Sequence, residues 1–309
     1  MSIIVFGSIN IDLVATTSRL PIAGETILGE DFFKIPGGKG ANQAVALARL
    51  EIPTHLVGRV GADNFGEELV QKLQVAGVQT ENIFIDETVN SGVAMITVDY
   101  AGENQIVVIP GANGRINQED IQRLSQLLPT ATALLLQLEI PLDAVIAAAT
   151  AAKDANIKVI LDPAPAQESL PKELYPLVDI ITPNEVEAGQ LTGFPVDNQE
   201  SAIKAAKVLL ERGVKCAIVK LGAKGAICAT AEETLFVPAF PVYAVDTVAA
   251  GDAFNGGLAA ALYRGLSLHQ AVIWGSAAGA LAATKMGAQT SLPDKLTFDS
   301  FLQERAVGR

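Results

Sequence analysis

Short unbroken apolar runs, separated by stretches of helical spacing, fill the first two thirds of the chain. Strand-like runs occupy 3–9 (IIVFGSI), 54–61 (THLVGRVG), 133–138 (ALLLQL), 158–162 (KVILD), 179–182 (DIIT) and 215–222 (KCAIVKLG). Most lack the apolar–polar alternation of a half-wet strand, which is the pattern of strands covered on both faces. Between them, 40–50, 65–76, 117–127, 142–155, 184–192 and 199–212 carry helical patterns. This order predicts an α/β fold, with a mostly parallel central sheet between two helical layers. The last third differs: FNGGLAAALYRG and LHQAVIWGSAAGALAATKMG read as two consecutive helices, small-residue-rich enough to pack closely. Residues 12–36 and 92–110 break the alternation and read as β-ribbons, the second with AGEN as its hairpin turn. Ribbons projecting from an α/β body form a small separate sheet, suited to covering a site or pairing with its copy. No internal repeat, low-complexity tract or charge run interrupts the 309 residues, which are expected to form one domain with the ribbons inserted as a small β-sheet lid.

Composition narrows the function. Half the residues are hydrophobic and the net charge is −12, so no basic face for nucleic acid is expected. A small anion held by backbone amides and a few cations stays compatible. Two cysteines and two histidines are too few for a disulfide framework or a zinc cluster, and Cys216 and Cys228 read as small buried apolar residues. The start lacks a basic n-region before its short apolar run, and reads as a first strand. The apolar runs at 254–263 and 271–283 are too short and too broken to span a bilayer, so a cytoplasmic setting without membrane attachment is expected.

The motif GGKGAN has Gly40 where a phosphate loop needs Ser or Thr, and no G-x-G-x-x-G follows a strand. PGGKGANQAVALARL (36–50) is a glycine turn feeding a helix, with Lys39 and Asn42 as added donors. It reads equally as an ordinary turn or as a place where backbone approaches a ligand. GSINIDL (7–13) sits at the carboxyl end of the first strand, where α/β sheets bind ligands, with Asn10 and Asp12 facing one side; a turn-forming Asx pair is the other reading. Glu139 ends an apolar strand, either paired near an opening or merely solvated. In ITPNEVEAGQLTG (181–193), Asn184, Glu185 and Glu187 enter the first helical turn, where acids suit the dipole. The alternative is that Asn184 and Glu187 hold Mg²⁺ through water. In VDTVAAGDAFNGG (245–257), Ala249, Ala250 and Gly251 leave helix-start amides uncovered, and Asp252 stands beside them. Such amides can hold a transferring phosphoryl group while the carboxylate takes a proton from an attacking hydroxyl. A dipole-favoured aspartate is the plainer reading.

Taken together and in order, GGKGANQAVALARL, LLLQLEIP, DPAPA, VDIITPNEVEAGQLTG and VDTVAAGDAFNGGL resemble the ribokinase-like carbohydrate kinase family over nearly the whole chain, from FGSINID to GAQTSLP. The resemblance implies a three-layer αβα fold with a β-sheet lid, and ATP-dependent phosphorylation of D-ribose at O5. It implies Asp252 as the base, with Ala249, Ala250 and Gly251 as the anion hole. The pentose site would be Asn10, Asp12, Gly38, Lys39, Gly40, Asn42 and Glu139 together with Asp252. The nucleotide would lie against Asn184, Lys220, Leu221, Gly222, Gly225, Gly251 and Ser276, with Mg²⁺ near Glu187 through water. A monovalent cation, K⁺, would sit among Asp246, Val248, Ala282, Lys285, Gly287 and Ser291, mostly on carbonyls. A homodimer through the lid is implied as well. Lys220 stands where Thr is common, Ser276 where Asn or His is, Asp162 where Asn is, and Val248 where Thr or Ile is. Fructose, 2-deoxyribose or adenosine as acceptor is the nearest rival, and a catalytically silent sugar-binding protein the more distant one.

Overall fold

In the computed structural model, which describes residues 1–306, the first apolar run becomes β1 (Ser2–Phe6), buried throughout. The chain continues through β2 (Asn10–Thr17), β3 (Phe32–Gly37), α1 (Lys39–Arg49), β4 (Thr54–Gly61), α2 (Asn64–Val75), β5 (Ile83–Asp86), β6 (Gly92–Asp99) and β7 (Asn104–Ile109). Then follow α3 (Gln118–Leu127), β8 (Ala131–Leu136), α4 (Leu142–Asp154), β9 (Lys158–Leu161), β10 (Ile180–Ile181), α5 (Glu185–Thr192) and α6 (Gln199–Glu211). The last third holds β11 (Cys216–Lys220), β12 (Gly225–Thr230), β13 (Thr234–Pro238), α7 (Ala250–Tyr263), α8 (Leu268–Ala282) and α9 (Lys295–Ala306).

Over the described residues the strands form two sheets. The larger runs β13-β12-β11-β10-β9-β8-β1-β4-β5, parallel from β11 to β5, with β12 and β13 added antiparallel. Successive strand residues point to opposite faces. Ile3 and Val5 therefore join one apolar cluster with Leu47, Leu258 and Val272, and Ile4 and Phe6 another with Leu124, Val145 and Leu209. Helices α1, α2, α7, α8 and α9 cover the first face, and α3 to α6 the second, giving the three expected layers. The sheet grows in opposite directions from β1, toward β4 on one side and β8 on the other. Connections leaving β1 therefore diverge and open a crevice at its carboxyl end.

The two ribbons build the smaller sheet, β3-β2-β6-β7, with β2 and β6 parallel across its middle. The hairpin turn falls on AGEN, where Gly102 has φ +81° and donates to Asp99 O. Strands at the ends of the first ribbon enclose irregular chain from 18 to 31, because Pro21 cannot donate to a ladder and Gly24 turns the chain at φ +83°. Three strands escaped the sequence reading. β5 is a four-residue edge with two exposed positions, and β12 and β13 form a hairpin too short for a strong pattern. Cys216 and Cys228 are buried and free, their sulfurs 3.7 Å apart. Among the described residues no helix is long and apolar enough to cross a membrane.

Candidate active site

The glycine turn before α1 docks on the carboxyl end of β1. Gly38 caps the helix at φ +88°, and a Cβ there would meet Asn10 N at 2.7 Å. Glu139, at the end of the β8 segment, accepts the Lys39 N–H at 3.0 Å and the Ser8 hydroxyl, so it is paired at the opening rather than merely solvated. Gly40 donates its N–H to Ser8 Oγ at 3.3 Å. On β2, Asn10 accepts from Asn113 Nδ2 at 2.7 Å, and Asn113 also bonds both backbone groups of Ile9. Asn113 was not singled out by the sequence reading; it fixes the angle at which the small sheet leaves the large one.

Lys39, Asn42 and Gln43 stand at helical spacings of three and four residues and share a face. Asn42 Nδ2 donates to Asp252 Oδ2 at 2.9 Å, and Gln43 Nε2 to Asp252 Oδ1 at 3.1 Å. Gln43 Nε2 also reaches Asp162 Oδ2 at 3.0 Å, while Gln43 Oε1 accepts from Gln137. Gln43 is thus a second residue missed in sequence, although its offset from Lys39 was a usable signal. Asn42 Oδ1 is buried without a hydrogen-bond partner, a cost that a hydroxyl donor would relieve.

Asp252 is 4 % exposed in the first turn of α7. That helix begins at Ala249, held in the left-handed region at φ +58° with no side-chain cap. The Ala250 N–H closes a turn onto Thr247 O at 3.2 Å, and Ala253 donates to Ala249 O. Among the described residues, the Gly251 and Asp252 N–H groups have no backbone acceptor. The Ala249 N–H likewise has no backbone acceptor among the described residues, so the N–H groups of this turn open to a ligand are those of Ala249, Gly251 and Asp252, while that of Ala250 is engaged.

The electrostatics follow from burial. Burial raises Asp252 to about 6, with Lys39 opposing and Asp162 adding to the rise. Asp12, under the small sheet, is raised to about 7 by burial and by Glu139 and Asp252. Burial also opposes the Lys39 ammonium, but Asp252, Asp162, Glu139 and Glu187 outweigh it and push its pKa up. Glu187 is raised by burial and by Asp162, against the pull of Lys220.

Beyond Asp252 the crevice widens into a cavity of about 800 Å³ lined by Lys39, Asp162, Asn184, Glu187, Lys220, Gly222, Gly225, Gly251 and Ser276. Leu221 stands apart: its side chain is in the core, and both its backbone groups close the turn with Gly225 and Lys224. Asn184 and Glu187 form a reciprocal capping box at the start of α5, so the structural reading of that pair holds. Glu187 accepts from Asn184 N and Nδ2 at 2.8 and 2.9 Å, which suits contact with a hydrated magnesium ion through water. No group of three or more metal-binding side chains occurs among the described residues. Two of the four residues that depart from the family pattern, Asp162 and Lys220, meet in an ion pair of 3.1 Å.

The loops around Asp246 and Gly287 also come together. Asp246 accepts from Val248 N at 2.9 Å and Gly287 N at 2.8 Å. Val245 N donates to Ala283 O, Lys285 N to Ala282 O, and the buried Ser291 hydroxyl to Ala288 O. Carboxylate, carbonyl and hydroxyl oxygens make a donor set suited to a hard cation.

Residues 1–295 match the family model described as pfkB family carbohydrate kinase. The chain is 40% identical over 299 residues to a ribokinase of Haemophilus influenzae, covering 97% of both chains. It is 37% identical over 302 residues to a deoxyribokinase of Salmonella typhi, covering 98% of this chain and 99% of that one. Its fold is similar to the structure of Arabidopsis thaliana ribokinase complexed with ribose and ATP, at a TM-score of 0.91, 33% identity and 98% coverage of each chain.

Proposed function

This chain belongs to the pfkB family of carbohydrate kinases, and from that premise we propose that it transfers the γ-phosphoryl group of ATP to O5 of D-ribose, giving ADP and D-ribose 5-phosphate. The observation that carries the reading is the position of Asp252. Its carboxylate is aimed by Asn42 and Gln43, with the Gly251 and Asp252 amides, which have no backbone acceptor among the described residues, beside it. On one side lies the polar cluster of Asn10, Asp12, Lys39 and Glu139, whose donors and acceptors suit a small polyol. On the other lies the cavity of about 800 Å³, within the range of small-molecule sites.

The hydroxyl gives its proton to Asp252 as its oxygen bonds to phosphorus, and the amides at the start of α7 hold the charge that develops. Glu187 would hold magnesium through water, and the ion would supply neutralisation of the phosphate chain. The oxygens of the Asp246 and Gly287 loops would hold a monovalent cation, which would supply rigidity to the turn that carries those amides. The small sheet acts as a lid that excludes water, and a cytoplasmic supply of ATP fits the reaction.

The lid also pairs two copies of the chain. Leu13, Met95 and Val107 stand in one cross-strand row, and Met95 and Val107 are 55% and 61% exposed, with Phe32 at 63% in the next row. Large exposed apolar side chains gathered on one sheet face mark an interaction surface. Sedimentation is expected to give a dimer for the parent and a monomer for Met95→Glu/Val107→Glu; a monomeric parent rejects the pairing.

Substrate choice is tested by ADP release with ATP, Mg²⁺ and either ribose, 2-deoxyribose, fructose or adenosine, in K⁺ and in Na⁺. Ribose is expected to give the highest kcat/KM, and K⁺ the higher rate. A preference for 2-deoxyribose would move the assignment to the second relative's substrate, and equal rates in the two salts would remove the monovalent site.

A further inference from the structure

The cavity beyond Asp252 is acidic. Asp162, Glu185, Glu187 and Asp252 line it, and Lys39 and Lys220 are the only lysines or arginines among the described residues that do. A nucleoside triphosphate adds further negative charge, so the placing of these two cations matters. Lys39 is already committed, with four carboxylates acting on its ammonium. Lys220 is differently placed. It ends β11, beside Asn184 at the start of α5, and its side chain is 14% exposed. Its Nζ lies 3.4 Å from where a Cβ on Gly251 would stand, and 6.0 Å from the Phe254 ring centre, so it reaches the first turn of α7. There it stands beside Gly251, whose N–H has no backbone acceptor among the described residues. Asp162 is the one hydrogen-bond partner of its Nζ among the described residues, at 3.1 Å. An ammonium has three donors, so two remain for a ligand. Asp162 is 3% exposed, and its other oxygen accepts from the Gln43 amide that also holds Asp252. One carboxylate thus sets the position of a cation and, through Gln43, of the base.

We propose that Lys220 is a catalytic residue of the phosphoryl transfer, its ammonium touching the migrating group beside the Gly251 and Asp252 amides, and that Asp162 positions it. This rests on the kinase reading above. In the step, the sugar oxygen bonds to the γ-phosphorus and its proton passes to Asp252. The bond from the γ-phosphorus to the β,γ-bridging oxygen breaks, and its electron pair leaves with ADP. Lys220 keeps its protons throughout and stabilises charge on the non-bridging oxygens.

The competing account is that Lys220 only neutralises a buried carboxylate. Three variants separate the two: Lys220→Met, Asp162→Asn and the pair combined, each assayed for kcat, sugar KM and melting temperature beside the parent. Lys220→Met is expected to lower kcat on the order of 100-fold, as loss of one charge-stabilising donor does, with sugar KM little changed. It also leaves Asp162 buried and unpaired, and is expected to melt earlier. The combined variant removes that charge and regains the melting temperature, but it stays slow. Recovery of kcat in the combined variant, or an unchanged kcat in Lys220→Met, overturns the proposal. A parent that releases no ADP in response to sugar would instead reject the kinase reading itself, so the two failures are distinguishable.

Discussion

Asp252→Asn is expected to lower kcat on the order of 1,000-fold while the chain stays folded. The amide keeps the size of the carboxylate but cannot accept the hydroxyl proton, so the attacking oxygen must lose it to water. The new amide can accept from only one of Asn42 and Gln43, so the other must turn, yet sugar KM should change far less than kcat. The parent's pH profile carries the same signature. A base must be ionised, and burial raises Asp252 to about 6, so the parent's kcat should fall as pH drops through that value. Stability runs the opposite way. The folded value lies above the ordinary 3.8, so the folded chain binds more protons between the two. Stabilisation from the neutral carboxyl is complete below 3.8 and is lost as pH rises through about 6. The carboxylate is thus active in the pH range where its burial costs stability. Turnover within tenfold of the parent in the Asn variant, or a kcat flat across about pH 5 to 8, would remove Asp252 from the role of base.

Gly40→Val is expected to destabilise the protein by about 3 kcal/mol or more and to remove activity with it. A Cβ at Gly40 would stand 2.6 Å from both Gly7 C and Ser8 N. Both are backbone atoms at the end of the central strand, where nothing can yield. The helix α1 would have to lift from β1, carrying Asn42 and Gln43 away from Asp252. A melting temperature lowered by several degrees, with the surviving folded fraction showing a raised sugar KM, is the expected result. A variant as stable and active as the parent would show that the close approach of α1 to β1 is dispensable. Gly40 entered the sequence reading as an expected pentose contact; in the structure its N–H is engaged by Ser8 and its lack of a side chain lets α1 pack on Gly7 and Ser8.

Legibility in the sequence differed by element. The parallel strands from β1 to β11 were readable because double-sided burial leaves unbroken apolar runs. β5 and β13 were not, because short half-exposed strands depend on a partner strand rather than on their own pattern, and β12, though buried at five of its six positions, is a short run with Gly225 at its start and two alanines. Asp252, Asn42 and Lys39 could be named from motifs, since each stands in a glycine-rich stretch with little else to explain it. Asn113 and Ser8 could not be assigned roles, because their partners lie far away in the chain, and Gln43 showed only its helical offset from Lys39 and not its partners. Asn113 holds Ile9 across 104 residues, and Gln43 reaches Asp252 across 209.

By itself the sequence determined the layered α/β architecture, the projecting ribbons, the acidic character and the positions of the glycine turns. These are local consequences of apolar periodicity and backbone freedom, which short stretches of chain express without knowledge of their neighbours. Tertiary structure alone decided which amides at the start of α7 are free, how far Asp252 is raised, and that Asp162 and Lys220 form a pair. Each of these depends on burial and on charges brought together from distant segments, and Coulomb energies and desolvation are set by distances in space rather than by separation along the chain.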